Sequence, residues 1–395
     1  MSKESAIADA SPPSSSTTTG QPASQSGILC VSFSLSDFLF YIPMPICEMG
    51  AGMVKNLAIA ASLAIGLGSW FYTAIQPPKP RLCGSEGGPP VTASRIRLRD
   101  GRHLAYEEKG VPKDKARFKI IFCHSFSGTR LDGIRAFPET MEELGVYLVS
   151  YDRAGYGESD PNPRRSLRSD ASDIEELADA LELGSRFFLI SLSIGGCSAW
   201  ACIKYIPERL AGVALLTPVI NYRWPGFPKS LFQEAYKQQH VGDQWTLGIS
   251  YYAPWLLYWW MSKSWLPTST VAKGTTYLPN RRDAEYREFA ISNGIREERR
   301  KLATQQGVQE SYYRDMMVMF GKWEFDPMDL QKPAFPVHLW QGDEDGVVPV
   351  SLQRYICHRL SWIQYHELPM TGHYLSAVPG FGDTVLKTLL AESSF

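Results

Sequence analysis

From residue 94 onward, short apolar runs alternate with longer polar or amphipathic stretches. The runs are FKIIFCH (118–124), VYLVSYD (146–152), RFFLISL (186–192), LAGVALLTP (210–218), PVHLWQG (336–342) and IQYHELP (363–369). Near-continuous apolar runs of this length are the mark of strands covered on both faces, and the helix-length segments between them predict a mostly parallel central sheet flanked by helices. Ahead of them RIRLRDGRHLAYEEKG (95–110) alternates in polarity and carries Asp100-Gly101, which predicts two strands joined by a tight hairpin. SDASDIEELADALEL (169–183) opens on an N-capping serine with early acids and has apolar residues at 174, 177, 181 and 183, the pattern of a surface helix packed on the sheet.

The rhythm breaks between about 220 and 330. From NYRWPGFPKS to GKWEFDP the chain has helical patches, charged turns and the aromatic run YYAPWLLYWWMSKSW, with no parallel-strand pattern. A long insertion at this point predicts a helical lid over the sheet.

The first eighty residues follow different rules. Residues 1–27 are rich in Ser, Thr and Pro and almost free of large apolar groups, so they cannot repay the entropy of ordering, and disorder is expected. Residues 28–47 are apolar but broken by Asp37, Pro43 and Pro45, a poor spanning helix. NLAIAASLAIGLGSWFYTAIQPP (56–78) holds no charge over 23 positions and is bracketed by Lys55 and Lys79. At about 1.5 Å per residue it can cross a hydrocarbon core of about 30 Å. Trp70 and Tyr72 lie toward its end, where amphipathic rings favour the interface. A buried core helix and a signal peptide are the alternatives. Lys79, Arg81, Arg95, Arg97, Arg99 and Arg102 follow the span, which by the positive-inside tendency puts the C-terminal domain in the cytosol. The chain is thus expected to divide into a low-complexity region (1–53), a transmembrane anchor (54–78), a Pro/Gly-rich linker (79–93) and a strand-and-helix domain (94–395) with its lid at about 220–330.

Composition narrows the partners. The 40 Lys and Arg nearly balance 41 Asp and Glu, for a net charge of -1, so no nucleic-acid partner is expected. The seven cysteines are scattered and odd in number, and no Asn-x-Ser/Thr acceptor occurs. Neither a disulfide framework nor a zinc site is expected, and a reducing compartment is favoured.

The candidate chemistry sits where strands end. In FFLISLSIGG (187–196) a strand closes on Ser191, Ser193, Gly195 and Gly196 and runs into the amphipathic CSAWACIKYI. Small residues two places either side of a serine permit a sharp strand-to-helix turn that lifts its hydroxyl above the sheet, with the helix N-terminus beneath it. Ser193 is therefore a candidate nucleophile, the alternative being an ordinary helix cap. A nucleophilic serine needs a base, and the base an orienting acid. LWQGDEDGVVP (339–349) offers Asp345, with Asp343 as the fallback, and LPMTGHYLS (368–376) offers His373. Their order, Ser193, Asp345, His373, is one in which such triads occur. The amides of Phe126, in IIFCHSFSGTR (120–130), and of Ile194 are candidate oxyanion donors, with His124 bracing the loop.

With these motifs in place, residues 94–395 resemble the α/β-hydrolase fold superfamily, to which YDRAGYGESDP (151–161) adds the D-R-x-G-x-G-x-S loop after the fourth strand. RLCGSEGGPPVTASRIRLRDGRHLAY, YIPERLAGVALLTPVINYRWP and GKWEFDPMDL look like a plant group of single-anchor α/β hydrolases. Two positions depart from the superfamily pattern: Ser125 and Ser191 stand where glycine is usual, and a glycine at the first often takes a conformation costly for other residues.

The expected activity is hydrolysis of a carboxylic ester or related acyl bond with no metal or organic cofactor. Trp255, Trp259, Trp260 and Trp265 point to an apolar acyl or lipid-like substrate, or are the lid's own core. An aminopeptidase would need lid carboxylates such as Glu285, Glu288, Glu297 or Glu298 at the site. The rival from another class is a small-molecule receptor of the same fold with little or no turnover.

Overall fold

The computed structural model describes residues 51–391, so all but the last three positions of the low-complexity region lie outside the described residues. Helix α1 (Ala51–Ile75) begins three residues before the expected anchor and stops three residues short of its end. Pro77 and Pro78 account for the stop, because proline donates no N–H and bars helical backbone in the residue before it. Residues 79–93 have the composition of a tether yet are tied down. The Arg81 and Cys83 amides donate to the carbonyl and side-chain oxygens of Gln306 (3.0 and 3.1 Å), and the Thr92 amide donates to Glu158 (2.7 Å).

Eight strands, β1 (Ser94–Arg97), β2 (His103–Gly110), β3 (Phe118–Cys123), β4 (Val146–Tyr151), β5 (Phe187–Leu192), β6 (Leu210–Leu216), β7 (Val337–Gly342) and β8 (Ile363–Leu368), form one sheet in the order β1-β2-β4-β3-β5-β6-β7-β8. β2 is antiparallel to β1 and β4, and the remaining pairs are parallel. The β1–β2 hairpin pairs Arg97 with His103, so Asp100-Gly101 lies in a five-residue loop rather than a two-residue turn. The hairpin is nonetheless tight: the buried Leu98 donates its amide to Arg102 O (2.8 Å) and accepts the Gly101 amide (2.9 Å), and Gly101 closes the turn with φ 93°.

Helices α2 (Pro138–Leu144), α3 (Leu167–Ala180) and α4 (Gly195–Tyr205) follow β3, β4 and β5. α3 starts two residues before the serine expected to cap it. The cap is Ser166, and Ser169 closes the capping box by bonding back to the Ser166 amide. Between β6 and β7 the chain forms α5 (Lys229–Gln238), α6 (Val241–Tyr252), α7 (Leu257–Met261), α8 (Thr270–Lys273), α9 (Arg281–Ser292), α10 (Ile295–Ala303) and, after a π-helical turn at Gln309–Tyr313, α11 (Arg314–Met319). α12 (Val350–Arg359) joins β7 to β8, and α13 (Phe381–Ala391) ends the described chain.

Side chains alternate across the sheet, as the pleat demands. On β3, Ile121 and Cys123 join a core with Ile174 and Leu177 of α3, Trp200 of α4 and Leu352 of α12. Ile120 and Phe122 face the other way, onto Met141 of α2 and Val385, Leu386 and Leu389 of α13. Those three α13 residues have no exposure, and burial of such side chains contributes roughly 1.5–3 kcal/mol each. The outcome is a rigid platform whose parallel strands all end on one edge.

Candidate active site

At that edge β5 gives way to α4 through Ser193, which holds φ 53°. For a residue with a Cβ this left-handed backbone costs on the order of 1–3 kcal/mol, so the turn must be clamped. The Ser193 amide donates to Leu216 O (2.8 Å), and its carbonyl accepts from Gly196 and Val219 (both 2.9 Å). The glycines answer to close approach: a Cβ on Gly195 would stand 2.6 Å from the Cys123 carbonyl oxygen, and one on Gly196 2.5 Å from Pro218 Cβ. Ser191 is an ordinary buried strand residue, its hydroxyl 3.4 Å from Ala214 O.

His373 comes from the loop after β8. A Cβ on Gly342 would strike the Thr371 and Gly372 carbonyls, and one on Gly372 would lie 2.2 Å from Asp283 Oδ2, so glycine lets the end of β7 and the Asp283 side chain of the insertion close on this loop. The structure brings Ser193, His373 and Asp345 into one hydrogen-bonded chain. Ser193 Oγ is 3.0 Å from His373 Nε2, and His373 Nδ1 is 2.8 Å from Asp345 Oδ2. Asp345 can only accept, so Nδ1 carries the proton and Nε2 is open to the serine hydroxyl. Asp345 also accepts from the Val347 and Val348 amides (2.8 and 2.9 Å) and from Gln341 Nε2 (2.8 Å), which fixes both oxygens. Asp343 is not in this chain; it accepts the Thr371 amide at 3.2 Å.

Burial opposes protonation of His373, but the Asp345 charge, the hydrogen bond to it and the charge of Asp283 outweigh burial, so its pKa lies above the ordinary 6.5. Asp283, on α9, is the residue that sequence reasoning missed. It is buried and accepts the backbone N–H groups of both His373 and Tyr374, holding the loop after β8 from the inserted segment. Its only sequence signal is the capping spacing to Asn280, whose side chain accepts the Asp283 amide.

The loop after β3 lies alongside. His124 is buried; its Nδ1–H donates to Ser125 O (2.8 Å) and its Nε2 accepts the Arg153 amide (3.1 Å). Burial and the Arg153 charge hold its pKa well below the ordinary imidazole value, so it is a neutral brace. The left-handed residue of this loop is Ser127 (φ 61°), whose hydroxyl accepts from Tyr312, so the unusual Ser125 carries no such strain. Neither the Phe126 nor the Ile194 amide has an acceptor among the described residues.

A second network missed from sequence lies beneath the site. Asp315 of α11 receives a bidentate fork from Arg153 (2.5 and 2.7 Å), an ion pair from Arg165 (2.8 Å) and the Tyr156 hydroxyl (2.7 Å). It fastens the insertion to the loop after β4, and nothing in the surrounding YYRDMM distinguishes this aspartate from a solvated one.

Two cavities meet at Ser193 and Phe126, one of about 230 Å³ and one of about 80 Å³. The smaller is walled by Ile220, Met316, Phe320, Val347 and Val348. The four lid tryptophans line neither cavity. Trp255 and Trp265 are exposed, Trp259 packs edge-on to Trp265, and Trp260 stacks on Trp245 and donates to Pro267 O (2.8 Å). Glu285, Glu288, Glu297 and Glu298 are absent from the linings as well; Glu285 and Glu297 pair with Arg281 and Arg300 on their own helices.

Solved structures share this arrangement of strands and helices. An esterase from Thermogutta terrifontis aligns with a TM-score of 0.51 at 18% identity, over 76% of this chain and 99% of its own. The enol-lactonase from Burkholderia xenovorans LB400 aligns at 0.51 and 17%, over 76% and 100%. An α/β hydrolase enzyme from a Medee basin deep-sea metagenome library aligns at 0.53 and 14%, over 76% and 98%. At these identities the likeness is one of fold. No curated protein sequence matches the chain. The family model described as the alpha/beta hydrolase fold matches residues 120–378, well over half of the sequence and a span that includes the Ser193 turn and the His373 loop, so the chain belongs to the α/β hydrolase fold family.

Proposed function

We propose that the protein is a membrane-anchored serine hydrolase that cleaves a carboxylic ester or related acyl bond. The observation that carries this reading is the chain from Ser193 Oγ through the His373 ring to Asp345, at 3.0 and 2.8 Å, opening on both cavities. Ser193 Oγ attacks the acyl carbon while His373 Nε2 takes its proton, and Asp345 stabilises the imidazolium. The Phe126 and Ile194 amides, free of other acceptors, take the oxyanion. Collapse expels the alkoxide, which leaves with the proton from His373. Water then attacks the acyl-enzyme, giving its proton to His373 and its hydroxyl to the acyl carbon, and Ser193 is restored.

Helix α1 supports the anchor: Gly52–Ile75 is long and apolar enough to cross a bilayer, and Leu57, Leu63, Ile65, Leu67 and Trp70 are all exposed. The basic residues that follow favour a cytosolic catalytic domain. The narrower kinship with single-anchor plant hydrolases rests on the three segments quoted above.

Labelling with a fluorophosphonate probe tests the reading. The wild-type protein is expected to label, and Ser193→Ala and His373→Ala to lose the signal. Undiminished labelling of Ser193→Ala discards the nucleophile, and ligand binding with neither labelling nor turnover favours a receptor.

A further inference from the structure

The two cavities that meet at Ser193 differ in charge. Five arginines, Arg135, Arg287, Arg296, Arg299 and Arg300, line the larger one, against the single carboxylate of Asp132. Part of this charge is cancelled: Asp132 pairs with Arg299 and Glu297 with Arg300, both at 2.9 Å. Glu288, 3.5 Å from Arg287, is largely in solvent. Arg135 and Arg296 have no carboxylate within salt-bridge distance among the described residues.

Arg296, with no carboxylate partner among the described residues, and Arg287, paired only with the solvent-exposed Glu288, are held in place. Arg296 packs onto Gly274, where a Cβ would fall 1.4 Å from Nη2, and donates to the Gly274 carbonyl (3.3 Å). Arg287 is partly buried and donates to Thr276 O. Neutral carbonyls thus orient both side chains without neutralising them. Their field reaches the neighbour of the base: burial and Asp283 raise the Tyr374 phenol, and Arg287 and Arg296 oppose them. No cation lines the smaller cavity. Its one carboxylate, Asp243, is bonded by the Ser269 hydroxyl and the amide and hydroxyl of Thr270, neutral donors that orient it and leave its charge in place, so an anion is turned toward the larger cavity.

We infer that the site takes an anionic ester, one half seated in the small apolar cavity and the other bearing a carboxylate or phosphate held by Arg287 and Arg296. Guanidinium forks suit either anion, and the same field disfavours cationic substrates. The inference rests on the hydrolase reading of Ser193 and names its substrate class.

The test is calorimetric titration of the full-length Ser193→Ala protein, which cannot turn over, with charge-matched probes. Ethyl hydrogen glutarate against diethyl glutarate places the charge on the acyl side; O-butyrylglycolate against its methyl ester places it on the alcohol side. Butyryloxyethyl phosphate separates phosphate from carboxylate. At low salt the anion of at least one pair is expected to bind about tenfold more tightly, with the advantage shrinking as salt screens it. Adding Arg287→Gln and Arg296→Gln is expected to bring the ratio toward one. Equal or tighter binding of the neutral member in both pairs overturns the inference, as does a preference indifferent to salt. Hydrolysis of para-nitrophenyl butyrate by the wild-type protein reads the catalytic proposal separately. Turnover without charge preference sinks only the anionic ester, and charge preference without turnover sinks only the hydrolase.

Discussion

Asp315 is the most exacting place to perturb this molecule. Its carboxylate has no exposure, and the two guanidinium groups it contacts, on Arg153 and on Arg165, which Asp170 also pairs, have almost none. Burial opposes ionisation, but the Arg153 and Arg165 charges and the bonds from Arg153 and Tyr156 overcome it and hold the group at about 2 instead of 3.8. A carboxyl depressed to that degree contributes roughly 2 kcal/mol to folding at neutral pH. The sign follows from the depression: the contribution is complete above the unfolded value of 3.8 and is lost as the pH falls through about 2. Asp315→Asn, which keeps shape and loses charge, is expected to cost about 2 kcal/mol. Asp315→Ala strands a buried cation and a buried phenol and is expected to cost about 3–5 kcal/mol. Urea unfolding at neutral pH, followed by circular dichroism, measures both. The Asp315→Asn deficit should narrow as unfolding is repeated at pH values descending from about 5. A loss below about 1 kcal/mol for Asp315→Ala would refute the reasoning, since it would mean that Arg153, unlike Arg165 with its second partner Asp170, does not depend on this residue.

Other outcomes follow from the same contacts. Because Asp345 and Asp283 hold His373 above 6.5 and only its neutral form can accept the serine proton, the acid limb of kcat/KM is expected above pH 6.5. Asp283→Asn should move that limb to lower pH by removing one of the charges that raise it, and an unmoved limb would show that Asp283 acts on position alone. The same raised pKa means that the stability contributed by protonated His373 is complete below about pH 6.5 and is lost as the pH rises through the folded value. For the anchor, deletion of residues 54–78 is expected to abolish carbonate-resistant association with membranes; a deletion variant that still resists extraction would place the membrane contact elsewhere.

The strands were legible because burial on both faces leaves an unbroken apolar run, as in FFLISL, and six such runs lie within two residues of β3 to β8. Ser193, Asp345 and His373 stand one, three and five residues after β5, β7 and β8, and strand ends are what periodicity locates best. What escaped lies on the inserted helices. Asp283 sits in NRRDAEYREF and Arg296, Arg299 and Arg300 in IREERRKLA, segments whose charge density reads as a solvated face. Which of those charges turns inward depends on how α9 and α10 lie against the sheet, a tertiary relation that no local pattern encodes. The two readings of the tryptophans could not be separated for the same reason. Aromatic density in YYAPWLLYWWMSKSW marks no pocket, because the walls of the smaller cavity come from residues scattered over the loop after β6, α6, α11 and the loop before α12.

The fastening of the inserted helices has a consequence for how such a protein can diversify. Asp283 reaches down to the backbone of His373 and Asp315 to the arginine whose amide steadies the neighbouring loop. Exchanging the roof for one from a cousin would therefore strip two anchors from the floor along with the old selectivity. New substrate preferences are more accessible through single changes on the walls of the two chambers than through wholesale replacement of what covers them.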